Sequence, residues 1–79
     1  ALSLFNNGFM EQCASRFAER VRGAAGQDAS AQVRRACALA FGRQPRPAEL
    51  ELLTAFVSAH GLDQACLTLL NSNEFLYIV

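Results

Sequence analysis

The sequence predicts an all-α fold: a small antiparallel bundle of four helices plus a short C-terminal helical turn. Three observations carry this. Apolar residues recur at helical spacing along nearly the whole chain. Fourteen Ala and eleven Leu outweigh four Val and one Ile, so the β-branched residues that favour strands are scarce. Gly and Pro fall between the periodic segments, at Gly23 and Gly26, at Gly42, Pro45 and Pro47, and at Gly61.

Helix one is predicted over about residues 8 to 24, opened by Asn6 or Asn7 as cap. Phe9, Cys13, Phe17 and Val21 recur every four residues with Met10 and Ala14 beside them, and Glu11, Gln12, Ser15, Arg16, Glu19 and Arg20 take the opposite face. Asp28 or Ser30 caps helix two. Its stripe is Val33, Ala36, Cys37, Ala40 and Phe41, with Gln32, Arg34 and Arg35 facing out and Gly42 as a left-handed cap at its end.

Arg43-Gln44-Pro45-Arg46-Pro47 cannot continue that helix, because each proline lacks an N–H and restricts the residue before it. Pro47 suits the first turn of helix three, which runs to about His60, and Glu49 lies at its positive end. Leu50, Leu53 and Val57 make one stripe of helix three, and Leu52 and Phe56 widen it. Such a helix is expected to be central in its bundle or covered by another domain. Gly61 separates it from helix four, about Leu62 to Asn71, with Leu62, Ala65, Cys66, Leu69 and Leu70 inward. Ser72 then caps a last turn through Glu74, Phe75 and Leu76. Short loops favour antiparallel neighbours. A core of phenylalanine and leucine is expected.

The chain has 79 residues, room for one small domain, here residues 1–79. With 52% hydrophobic and 18% charged residues it is no disordered segment, and its net charge of zero argues against a polybasic arm. The longest apolar run, Ala36 to Phe41, is far short of the ~20 residues that span a bilayer, and no membrane span is expected. The start at Ala1 and the apolar ending Phe75 to Val79 read as a C-terminal fragment of a larger multidomain protein. Cys13, Cys37 and Cys66 form no CxxC pattern and read as three buried thiols, with one disulfide as the alternative.

No catalytic, metal or cofactor constellation is written in the sequence, and none is expected. His60 reads as an imidazole at a helix C-terminus, bonding the last carbonyls. Glu49 and Glu51 point to different faces, and Asp28 and Asp63 read as helix caps. Ser58 and His60 make no nucleophile–base pair. Arg34, Arg35, Arg43 and Arg46 are the one basic concentration. Against DNA stand the zero net charge, the absence of Lys, and Glu49 and Glu51 where phosphates would lie. Two segments are more specific: the turn Phe41 to Glu49, containing Gly42, Arg43, Pro45, Pro47 and Glu49, and the ending Leu69 to Tyr77, containing Asn71, Ser72, Glu74 and Phe75. A carboxylate at Glu74, amid apolar residues, needs a partner if buried, and Arg43 is the expected one.

With these motifs the chain resembles the C-terminal part of the planctomycete cytochrome-associated domain of unknown function, number fifteen fifty-three in that series. Ala1 to Phe9 is similar to a stretch that opens that region, and Phe17-Ala18-Glu19-Arg20 to the helix that follows. Phe41 to Glu49 is similar to the family's Gly–Arg–x–Pro–x–Pro–x–Glu turn, and Leu69 to Tyr77 to its closing motif. Arg46 departs from the pattern, where a Thr or Ser cap is more usual. The resemblance implies a large, exported, multidomain bacterial protein, often with a c-type cytochrome domain or carbohydrate-binding-like modules elsewhere, and it carries over no catalytic residue. The expectation is a non-enzymatic structural or interaction module whose partners are other domains of the same chain, another protein, or a second copy as a homodimer. The alternatives are a binding module using the arginine face for nucleic acid or another polyanion, and an accessory segment of an enzyme whose active site lies upstream.

Overall fold

A computed structural model describes residues 7–72 and contains four helices joined by short connections: α1 (Asn7–Ala25), α2 (Ala29–Phe41), α3 (Pro47–His60) and α4 (Leu62–Leu70). No strand occurs among the described residues. The expected C-terminal turn through Glu74 and Phe75 lies outside them, as does the side-chain cap on α1.

The helix ends follow from the residues placed there. Asp28 sits at the N-cap of α2, where its carboxylate accepts the Ala31 N–H at 2.9 Å. Gly42 closes α2 in the left-handed region, φ 71°, and donates its N–H to the Ala38 carbonyl. Pro47 occupies the first turn of α3, where its missing N–H costs nothing. Gly61 alone joins α3 to α4. Its φ of 93° and ψ of 158° are open to glycine and to almost nothing else, and they let one residue end one helix and start the next.

The core is built mainly from α1 and α4. Met10, Ala14, Ala18 and Val21 of α1 meet Leu62, Cys66, Leu69 and Leu70 of α4, with Ala36 of α2 completing the cluster. Val33, Cys37 and Ala40 of α2 and Ala65 of α4 are also buried. α3 packs on α2 and α4 and does not reach α1.

Four expectations are corrected here. The buried line of α1 runs through Met10, Ala14, Ala18 and Val21, about one residue round from Phe9, Cys13 and Phe17. Phe9 is 52% exposed, and Cys13 and Phe17 are half-buried at the rim. Small side chains let α1 lie close to its neighbours, and the large rings are left to seal the edge. Accordingly, none of the four described phenylalanines is buried, and the core is alanine, cysteine, valine, leucine and methionine. Gln32 does not face out: it is 4% exposed, because its amide Nε2 donates to the Gly26 carbonyl at 2.6 Å and ties α2 to the end of α1. Finally, α3 is not central. No residue of α3 is buried.

Candidate functional site

The turn between α2 and α3 is organised by one carboxylate. Glu49, in the first turn of α3, accepts both ends of the Arg43 guanidinium, at 2.9 Å and 3.1 Å, in a parallel fork. The same carboxylate accepts the Arg46 backbone N–H at 2.9 Å and lies 3.6 Å from the Arg46 guanidinium. This is half of a capping box. Arg46 has no side-chain acceptor to return the second bond, which is the weakening of the cap that its departure from the family pattern implies. The Arg43 guanidinium also lies 5.4 Å from the centre of the Phe41 ring. The Arg43 hydrogen bonds, the Arg46 N–H and the two positive charges hold the Glu49 carboxyl down at about 2. Pro45 and Pro47 stiffen the chain on either side of Arg46. The expected Arg43–Glu74 pair falls on a residue outside those described, and so does Phe75. Asn71 ends α4, its N–H bonded to the Leu67 carbonyl at 3.1 Å, and the Ser72 N–H bonds to Leu69 at 3.1 Å.

A second polar contact joins α1 to α4. Asp63 is no cap, since Gly61 occupies that position. Its carboxylate instead accepts Arg22 Nη2 at 2.7 Å and the Ser15 hydroxyl at 3.3 Å. Both charged side chains are well exposed, 40% and 48%, so this pair aligns the helices more than it stabilises them. Beneath it, burial pushes the Cys66 thiol up to about 12, with Asp63 adding to the shift and Arg22 opposing it. Such a thiol is a core side chain and no nucleophile. No disulfide links the described cysteines, of which Cys37 and Cys66 are buried and Cys13 is half-buried.

The remaining candidates separate. His60 is exposed, and its ring leans on Phe56 with centres 4.8 Å apart; no bond from it to the last carbonyls occurs among the described residues. The four-arginine face divides in two. Arg43 and Arg46 are drawn to Glu49, while Arg34 and Arg35 project from α2 and form no ion pair among the described residues. Among those residues no group of His, Cys, Asp and Glu could hold a metal ion, and no helix is long and apolar enough to cross a membrane.

α3 is the least ordinary surface. Leu50, Leu53, Thr54 and Val57 turn towards the bundle and are only half-buried. On the opposite side Ala48, Leu52, Ala55 and Ala59 recur at spacings of four, three and four, and all are exposed; Leu52 is 72% exposed. The Thr54 hydroxyl is closed off from solvent and has no hydrogen-bond partner among the described residues. The excess of apolar residues on α3 was legible in the sequence. Two features were not: the Arg22–Asp63 link, which needs α1 and α4 to be adjacent, and the Gln32 tie, which looks like an ordinary surface glutamine.

No curated protein and no solved structure matches the chain. A family does: the one described as PSD1, protein of unknown function (DUF1553), matches residues 1–57, a span that includes the Arg43–Glu49 turn and most of α3. The closing motif Leu69 to Tyr77 lies beyond the matched span. With well over half of its length matched, the chain belongs to the DUF1553 family.

Proposed function

We propose that this chain is a non-catalytic helical module that docks on other protein through the outer face of α3. One observation carries the reading: a helix with eight apolar side chains in fourteen positions buries none of them. A helix that is apolar on two sides needs cover on two sides, and the bundle supplies only one. The Arg43–Glu49 fork supports the same role, because it fixes the angle at which α3 leaves α2 without burying that helix. The surface docked against is another domain of the same chain or a neighbouring protein, in the exported multidomain setting that the family resemblance implies.

The test is a Leu52→Cys variant, modified by iodoacetamide and read by peptide mapping, in the 79-residue chain and in the full-length protein. Slowing by about tenfold or more in the full-length protein is expected if α3 docks. Equal rates in the two would overturn docking on another domain of the same chain, and equal rates together with a monomer unchanged by added neighbouring protein would overturn the reading. Sedimentation of the isolated chain at rising concentration then tells a homodimer from contact with another domain.

A further inference from the structure

α2 carries a positive patch with no counterweight. Between Ala29 and Phe41 it has Arg34 and Arg35 and no acidic residue. Both arginines are exposed and unpaired among the described residues, whereas Arg22 is held by Asp63, and Arg43 and Arg46 share Glu49. Arg34 and Arg35, with Gln44 from the following turn, rim an open depression of about 540 Å³. Its floor is alanine: Ala31 and Ala38, one turn before and one turn after the arginines on α2, and Ala24 and Ala25 at the end of α1.

We propose that this depression binds an acidic protein segment, one presenting one or two carboxylates between small or apolar side chains. The guanidinium fork matches a carboxylate with two parallel hydrogen bonds, and the Gln44 amide can donate a further one. The alanine floor offers a chain lying across it a shallow apolar seat. Two details favour protein over nucleic acid. The available footprint is small: Arg34 and Arg35 stand at the depression, and of the two charges on Arg43 and Arg46 the single Glu49 carboxylate offsets one. The negative pole of α1 also sits in the depression, at Ala24 and Ala25, where a polymer with a phosphate at every step would be repelled. A segment with isolated carboxylates can place them at the arginines and leave that end uncharged. The site is separate from the outer face of α3, and either can fail without the other.

The experiment is fluorescence anisotropy at low salt with three labelled probes: an alternating Glu-Ala hexapeptide, its Gln-Ala counterpart, and hexathymidylate. The Glu-Ala peptide is expected to bind about tenfold or more tightly than the other two. The double variant R34Q/R35Q should weaken that binding by about tenfold or more. The double variant R16Q/R20Q removes the same charge from the exposed face of α1 and should change it by about twofold or less. All four positions are exposed, so circular-dichroism melts should be unchanged. No binding of the Glu-Ala peptide, equal binding of the Gln-Ala peptide, equal or tighter binding of hexathymidylate, or equal losses in the two double variants would each overturn the proposal.

Discussion

α1 with α4, and α3, solve the same problem in opposite ways. α1 and α4 hide small and medium side chains almost completely: Ala18, Val21 and Cys66 have no exposed surface. α3 is richer in apolar residues than α1, eight of fourteen against nine of nineteen, yet none is buried. Apolar content therefore does not decide where the core lies. What decides it is whether the neighbours can approach, and the alanines at Ala14, Ala18, Ala36 and Ala65 let α1, α2 and α4 do so. α3 is attached by a half-buried stripe and by the Arg43–Glu49 fork at its start, which leaves its other side free for contact.

The contrast can be broken most forcefully with leucine truncations. Leu69→Ala removes a buried side chain that touches α1 and should cost about 2–5 kcal/mol in a denaturant melt. Leu52→Ala should cost under about 0.5 kcal/mol. Similar losses at the two sites would mean that α3 is as much a part of the core as α4.

Glu49→Gln tests how the start of α3 is fastened. It should cost about 1 kcal/mol near neutral pH, allowing for the partial exposure of the pair. The sign with pH follows from the direction of the shift. A carboxyl held at about 2 in the folded chain, against an ordinary 4.5, adds stability that is complete above 4.5 and is lost as pH falls through 2. The gap between parent and variant should therefore close across that window, and a gap independent of pH would show that the fork does not form.

Thr54→Val should raise stability, by about 1 kcal/mol, because it replaces an enclosed hydroxyl that lacks a partner with a methyl group of similar size. A loss would place an unseen partner at that hydroxyl. Asp63→Asn has the smallest expected effect, under about 0.5 kcal/mol, since both members of the Arg22 pair are well hydrated. A larger loss would make the α1–α4 contact depend on charge as well as on packing.

The helix limits were legible because the residues that end helices are conspicuous. Asp28, Gly42, Pro47 and Gly61 each sit where the sequence predicts a boundary, and the predicted span of about 8 to 24 for α1 becomes Asn7–Ala25. The inward faces were harder to read. In α1 the lines through Phe9, Cys13 and Phe17 and through Met10, Ala14 and Ala18 lie one residue apart, and periodicity cannot rank them. The closeness of α4 chooses the smaller set, and that is tertiary information. The same holds for Asp63, whose place near a helix start suggests a cap until α1 supplies Arg22. The importance of Glu49 in the turn was visible from its position at a helix N-terminus. Its partner was not, because five residues, two of them prolines, separate it from Arg43.

Native-state hydrogen exchange puts the central contrast to the most direct test, measured on the isolated chain and on the full-length protein. In the isolated chain the amides of α3 from Leu53 to Ala59 should open at a lower free energy than those of α1 from Ala14 to Val21, because less apolar surface holds them closed. Under the docking proposed for α3, its amides should slow further in a longer chain that carries the covering domain. Protection of α3 equal to that of α1 in the isolated chain, and unchanged in the full-length protein, would contradict the account.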